Sequence, residues 1–206
     1  MVAMREHYGE NKRNILQAGR AIIAQKGFSG VGLSEILAAA DIPKGSFYHY
    51  FGSKEQYGRE LIEHYVAGYL DRLAEVLEAR HGGNARERLL TYWGNWLESQ
   101  CCQHVEQRCL VVKLSAEVAD LSEDMRQALH EGTQRFIERI AVCIEEGIAE
   151  GSLHTVLHPL ATATMLYQQW LGASLLARLS RDRAPMEAAM LVTRRVLVPP
   201  TIASHR

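Results

Sequence analysis

A group of hydrogen-bond donors lies in one short stretch of the chain, between residues 44 and 49. The donors are Lys44, Ser46, Tyr48 and His49, with Gly45 between the first two. Such side chains bind phosphate oxygens and base edges of DNA, and a glycine lets the backbone approach closely. The aromatic residues in the same stretch lie three and four apart, as on the buried face of a helix, and they are Phe47, Tyr50 and Phe51.

Cys109 is a second candidate for chemistry. It precedes the apolar residues Leu110, Val111 and Val112, and in a helix Lys113 would lie one turn away on the same face. If Cys109 is near the start of that helix, the helix dipole favours a thiolate, which reacts with electrophiles and oxidants. The alternative is a buried, inert thiol, because cysteine is among the most buried residue types.

Aromatic residues at helical spacing form a third group, in two separate segments. Tyr92, Trp93 and Trp96 lie on one predicted helix, and Tyr167 and Trp170 lie on another. Aromatic walls with a few polar groups suit a pocket for a small molecule. A packed core is the alternative.

The composition sets limits on the class of protein. The chain has 206 residues, 47% of them hydrophobic and 23% charged, with a formal net charge of −1. No apolar run reaches 18 residues and the N-terminus is polar, so we expect a cytoplasmic protein without a membrane segment. The four cysteines form no C-x-x-C pair, which predicts free thiols, no metal site and no cofactor.

The periodicity of apolar residues predicts an all-α chain of about nine helices. The first runs from about 11 to 26 and stops at Gly27, and the second begins after Gly32. A break at residues 41–43 separates it from a short third helix, and a capping box at residues 53–56 starts the fourth. The last seven helices are predicted at about 44–51, 53–80, 85–103, 106–118, 122–150, 158–181 and 185–198.

Two short helices around a three-residue break predict a helix-turn-helix over about residues 32–51. The segment Lys44–Lys54, KGSFYHYFGSK, resembles the most typical string of the TetR family of transcriptional regulators. The resemblance implies an N-terminal three-helix DNA-binding domain, here residues 9–69, whose third helix enters the major groove. The contacts it implies are Gly32, Ser34, Lys44, Gly45, Ser46, Tyr48, His49 and Lys54.

One of these positions departs from the family pattern. Gly32 stands where the family frequently has threonine, so a side-chain contact with phosphate is absent there. Only a backbone N–H could replace that contact.

The same resemblance implies that residues 70–200 form a helical domain for ligand sensing and dimerisation. The last two predicted helices carry apolar and small residues that could form a four-helix bundle in a homodimer. Their burial within a monomer is the alternative. A dimer would match a palindromic operator in double-stranded DNA, because such an operator has two half-sites.

The segment Cys109–Arg126 resembles the NemR-type branch of the family, as does Trp170–Ala173. That branch controls genes that detoxify quinones, aldehydes and maleimides, and it senses them through a cysteine matching Cys109. Arg178 stands where a lysine can occur, and an arginine cannot supply a neutral amine. The predicted sensor residues are Cys109, Lys113, Trp93, Trp96, Tyr167, Trp170 and Arg178.

The sequence therefore predicts a DNA-binding repressor that is released from its operator by a reactive electrophile, by an oxidant or by a small-molecule ligand. A family member with a non-covalent ligand and a transcriptional activator remain alternatives. A cysteine-dependent enzyme would need a general base, and His104 and His130 are the available imidazoles. No recognisable catalytic motif surrounds them, so no enzyme is predicted.

Overall fold

The computed structural model describes residues 2–78, 82–101 and 109–199, and in these ranges the chain is helical and contains no β-sheet. None of the described helices has the length and apolar character needed to cross a membrane. The predicted all-α class is confirmed. The helices are α1 (Val2–Lys26), α2 (Leu33–Ala39), α3 (Phe47–Tyr50), α4 (Lys54–Leu77), α5 (Ala85–Cys101), α6 (Leu110–Leu121), α7 (Glu123–Ala149), α8 (Pro159–Ser180) and α9 (Ala184–Val196).

Helix boundaries differ from the predicted ones at several ends. Helix α1 begins at Val2 rather than near residue 11, and its added turns contact α3 through Tyr8. The third predicted helix starts as a 3-10 turn over Lys44–Ser46 before α3 begins. Helix α4 ends at Leu77, earlier than predicted. The predicted start of the sixth helix near residue 106 lies outside the described residues.

The chain folds into two compact units. The first consists of residues 1–68 and 103–132, and the second of residues 69–102 and 133–206. The core of the first unit brings α1, α2, α3 and α4 together around aromatic and aliphatic side chains. Its fully buried residues include Ile15, Ile23, Ile36, Phe47, Phe51 and Tyr57. Gly19 makes this packing possible, because a Cβ there would lie 1.7 Å from the Tyr57 hydroxyl oxygen.

The second unit has a core of tryptophan, tyrosine and aliphatic residues, in which Arg88 is also buried. Arg88 is 5% exposed, and its guanidinium donates to the carbonyls of Leu77 and Gly83, at 2.9 Å each. It also pairs with Glu146 at 2.7 Å. Arg88 thus supplies hydrogen-bond donors to the last carbonyl of α4 and to a carbonyl of the loop that follows. The carbonyls at the end of a helix have no partner within the helix.

Candidate DNA-binding surface and cysteine site

The turn between α2 and α3 is set by residues 41–43. Asp41 has a φ of 55°, in the left-handed region that aspartate tolerates better than most residues. The N–H of Ile42 donates to the Leu37 carbonyl at 2.9 Å and closes the end of α2. Pro43 then precedes the 3-10 turn and accepts a hydrogen bond from Ser46 N–H at 2.9 Å. This geometry is the helix-turn-helix expected from the sequence.

The segment Lys44–Tyr50, here called the recognition segment, has one buried and one exposed face. Phe47 is 1% exposed and packs against Phe51 and Tyr57, with ring centroids 5.3 and 5.8 Å away. Tyr48 is 70% exposed. The other predicted contacts of this segment are at the surface or partly exposed, and they are Lys44, Gly45, Ser46 and His49. The segment therefore presents its donors outward while its aromatic residues anchor it.

Helix α1 contacts the C-terminal end of the recognition segment. The Tyr8 hydroxyl donates to the His49 carbonyl at 3.1 Å, and its ring stacks on Tyr50 at 5.0 Å. Asn11 donates to the Tyr50 hydroxyl at 3.1 Å. Four α-helical residues are too few to be stable alone, so these contacts help to fix α3. Sequence reasoning missed Tyr8, since nothing in its local pattern indicates a partner 41 residues away.

Lys54, Gly32 and Ser34 lie on the elements that flank the recognition segment. Lys54 begins α4, and its ammonium donates to the Phe28 carbonyl at 3.1 Å. Gly32 is the N-cap of α2 and offers no side-chain cap, and a Cβ there would meet no atom within 4 Å. Ser34 is exposed in the first turn of α2. These three residues, with the recognition segment, belong to the first unit.

The predicted capping box at the start of α4 is present in a shifted form. The Gln56 N–H donates to the Ser53 hydroxyl at 3.0 Å. The Gln56 side chain accepts from Gly52 N–H at 3.1 Å, one residue before the usual partner. The box fixes the start of α4 directly after the recognition segment.

Cys109 is the N-cap residue of α6 and is 6% exposed. The Tyr65 hydroxyl, on α4, lies 3.5 Å from its sulfur and can donate to it. The same hydroxyl accepts the Leu110 N–H at 3.3 Å. Tyr65 thus holds the first turn of α6 through the thiol and the adjacent amide together. Lys113 is half-buried one turn further along α6.

The predicted aromatic residues are brought together in the second unit as a stack of rings. Trp93 lies parallel to Trp170 at a centroid distance of 5.0 Å, and Trp96 meets Tyr167 edge-on at 5.4 Å. Two indole N–H groups donate to hydroxyls, Trp96 to Ser174 at 3.1 Å and Trp170 to Thr193 at 2.9 Å. Trp93 Nε1 is buried and has no hydrogen-bond partner among the described residues. All four rings are buried.

The remaining predicted positions are placed as follows. Arg178 is partly exposed in the last turn of α8, in the second unit. Cys143 is buried in α7, and this burial raises the pKa of its thiol to about 11, although the Arg88 guanidinium opposes the shift. His130 is exposed on α7. The Cys101 side chain, Cys102 and His104 lie outside what the structure describes.

Comparison with protein families gives two matches that together cover most of the chain. Residues 15–57 match the N-terminal model of bacterial regulatory proteins of the tetR family. Residues 85–192 match a C-terminal domain of the tetracyclin repressor-like type. The first match contains α2, the recognition segment and Lys54, and the second contains the aromatic stack and Cys109.

Three curated relatives are similar along most of their length. The HTH-type transcriptional repressor NemR of Escherichia coli strain K12 is 42% identical, over 94% of this chain and 96% of its own. The transcriptional regulator AcuR of Cereibacter sphaeroides is 36% identical, over 85% and 80%. The HTH-type transcriptional repressor DhaR of Mycobacterium sp. strain GP1 is 30% identical, over 92% and 93%.

Solved structures agree with these relatives. The reduced form of E. coli NemR superposes with a TM-score of 0.88 at 41% identity, covering 94% of this chain and all of that one. A second crystal structure, of a TetR/AcrR family regulator, gives 0.82 at 42% identity, over 92% of this chain and all of that one. The chain therefore belongs to the TetR family of bacterial transcriptional regulators.

Proposed function

We propose that the protein is a cytoplasmic transcriptional repressor that binds a palindromic operator as a homodimer. Residues 9–69 bind DNA in this proposal, and residues 70–200 sense a ligand and dimerise. The observation that carries it is the two-faced recognition segment, in which a buried Phe47 anchors a surface of donors led by Lys44 and Tyr48. Such a helix can enter a major groove with its leading residues on base edges and phosphates.

The surfaces of α8 and α9 support the homodimer. They carry large apolar side chains that the single chain leaves exposed, namely Leu175, Leu176, Leu179, Leu191 and Val192. Exposed apolar patches of this kind mark interfaces, and two helices from each subunit would form a four-helix bundle. A twofold dimer presents two recognition segments, which matches the two half-sites of a palindrome.

Covalent modification of Cys109 is the proposed signal for release. The N-cap position of α6 is one where a helix dipole would favour a thiolate, and the Tyr65 hydroxyl can donate to the sulfur. This thiolate adds to the β-carbon of an activated alkene such as a quinone or maleimide. A C–S bond forms, the alkene π-bond breaks, and the α-carbon takes a proton from water. The adduct does not fit beside Cys109, which is 6% exposed. It therefore breaks the hydrogen bonds that join the Tyr65 hydroxyl to the Cys109 sulfur and to the Leu110 N–H.

A non-covalent ligand within the aromatic stack is the second candidate signal. The observation in its favour is the buried Trp93 Nε1, which has no partner among the described residues. A ligand carbonyl could accept this hydrogen bond if the rings separated to admit it. Such a ligand would act by binding the released state more tightly than the DNA-bound state.

The test begins with the operator, which is selected from random duplexes on the purified protein. We expect N-ethylmaleimide to lower the affinity of the wild type for this duplex by at least tenfold, whereas Cys109→Ser keeps its affinity. The Cys143→Ser and Cys101→Ser/Cys102→Ser variants are the matched controls and should respond like the wild type. Gel shift gives the dissociation constants, and mass spectrometry locates the adduct.

The thiol proposal also predicts which cysteine stays unmodified. Cys143 lies in the middle of α7 rather than at a helix start, and burial raises the pKa of its thiol to about 11, so the thiol is protonated at neutral pH. We expect no adduct on Cys143 until the protein is unfolded.

A Cys109→Ser protein that N-ethylmaleimide still releases would refute the thiol mechanism. A wild type that selects no duplex would refute the repressor itself, and a reporter gene that falls silent without the protein would indicate an activator.

Gly32 offers a gain-of-function test of the operator contact. Its φ of −85° and ψ of 149° suit an N-cap threonine, and a Cβ has open space there. We expect Gly32→Thr to raise operator affinity about fivefold, since the new hydroxyl can donate to a phosphate. Gly32→Ala is the matched control because it adds the Cβ without the hydroxyl. Equal affinities of the two variants in the gel shift would show that Gly32 lies away from the phosphates.

A further inference from the structure

We propose that Glu117 is a positioning residue that ties the DNA-binding helices to the helix carrying Cys109. Glu117 is on α6, and it binds the loop between α1 and α2, just before the helix-turn-helix begins. Through this contact a movement of α6 would reach the DNA-binding helices. The direction of its effect on operator release depends on the proposed function.

The contact is bidentate and engages backbone groups. One carboxylate oxygen of Glu117 accepts the Phe28 N–H at 2.9 Å, and the other accepts the Ser29 N–H at 2.5 Å. The two partners lie almost ninety residues away in the chain. Hydrogen bonds from backbone N–H groups to a carboxylate are charge-assisted and stronger than neutral ones. Glu117 therefore fixes the position of this loop relative to α6.

The loop is shaped to receive the carboxylate. Gly27 has a φ of 84°, which favours glycine, and a Cβ there would lie 2.8 Å from a Glu117 oxygen. On its other side Phe28 is held by Lys54, whose ammonium donates to the carbonyl at 3.1 Å and lies 4.9 Å from the ring centroid. Phe28 is thus held through its N–H by α6 and through its carbonyl by α4.

The charge of Glu117 is maintained at neutral pH. Partial burial raises the pKa of this carboxyl, but the hydrogen bonds from Ser29 and Phe28 outweigh it, with help from Lys113. The net result is a pKa below the ordinary 4.5. Glu117 therefore acts as a pure acceptor for both amides.

Cys109 and Glu117 are connected by helix α6, and this stretch of helix between them is here called the lever. They are eight residues apart, which is about 12 Å along an α-helix. Both residues belong to one uninterrupted stretch of hydrogen-bonded helix, in which Leu114 between them is fully buried, as is Val118 beyond. Tyr65 fixes the first turn of α6, and Arg20 of α1 lies 5.3 Å over the Tyr65 ring. An adduct on Cys109 that displaces this first turn would pull Glu117 away from the loop.

Hydrogen exchange tests the coupling directly. Cys109 is made the only cysteine, by replacing the other three with serine, and is alkylated with N-ethylmaleimide. We expect alkylation to speed exchange of the Phe28 and Ser29 amides about tenfold, because they lose a charged acceptor. Glu117→Gln removes the charge and keeps an acceptor oxygen for only one of the two amides. At least one of these amides should therefore exchange fast before alkylation and show no further gain after it.

The matched control is Asp120→Asn, an equal charge change at an exposed position of the same helix. It should behave like the parent protein. Gly27→Ala is a second, independent variant, because its methyl group displaces the carboxylate from the other side, and it should reproduce the fast exchange. Circular dichroism verifies that each variant is folded. Protection of both loop amides after alkylation, or of both in Glu117→Gln, would overturn the proposal.

Operator affinity separates this inference from the function on which it builds. The ratio of the dissociation constants after and before alkylation should fall at least tenfold in Glu117→Gln, whereas a merely structural residue would leave this ratio unchanged. Alkylation that speeds loop exchange without releasing DNA would refute the thiol-triggered repressor and keep the lever. Release of DNA with the loop amides still protected would refute the lever and keep the repressor.

Discussion

Replacing Gly45 with glutamate should lower operator affinity about a hundredfold while leaving the fold intact. The position is exposed in the recognition segment, its φ lies outside the left-handed region, and a Cβ there would meet no atom within 4 Å. The protein therefore tolerates a side chain. Operator binding should be weakened, because the new carboxylate would repel the DNA phosphates and block close approach of the backbone. A hundredfold loss corresponds to about 3 kcal/mol.

The matched control for this variant is Gly94→Glu on α5, which adds the same charge where a Cβ also has open space. It should bind the selected operator like the wild type. Gly45→Glu should unfold at the same urea concentration as the wild type, and Gly94→Glu at no lower one, because it replaces a glycine in a helix interior. Unchanged operator binding by Gly45→Glu would mean that the recognition segment does not enter the groove.

The largest effect on stability is expected from Arg88→Met. This substitution keeps the length of the side chain but removes donors to Leu77, Gly83 and Glu146 in a place that is 5% exposed. Buried acceptors without donors are costly, and we expect a loss of about 3 kcal/mol in the free energy of unfolding. Urea denaturation at constant protein concentration measures it, since the stability of a dimer depends on concentration.

Arg126→Met is the comparison for Arg88. Arg126 forms its ion pair with Glu123 in an exposed position on α7, where water replaces the partner. Its loss should leave the unfolding midpoint unchanged. If both variants unfolded at the same midpoint, the hydrogen bonds of Arg88 would contribute no net stability.

The helical architecture and the recognition segment could be predicted from the sequence because both are local. A helix repeats every 3.6 residues, so Phe47 and Phe51 had to share a face, and Tyr48 had to lie elsewhere. The structure leaves the first two buried and the third exposed, as expected. The extra turns of α1 were missed, because their contact with α3 lies far away in the chain.

The sensing residues illustrate where such prediction ends. Tryptophans at this helical spacing can either line a pocket or fill a core, and only the packing of the folded chain decides between the two. In this structure the Trp93 and Trp170 rings stack at 5.0 Å. Arg88 would be assigned to the surface from its charge, yet the chain buries it against the end of α4.

The amino-acid sequence by itself determined the helices, the helix-turn-helix and the position of Cys109 near a helix start, because hydrophobic period, caps and breaks act over a few residues. Only the tertiary structure decided that Tyr65 holds this cysteine and that Glu117 grips the loop at Phe28 and Ser29. A carboxylate on an amphipathic helix has the same local signature whether it faces water or a distant backbone. Its partner is chosen when the chain folds and brings the two segments together.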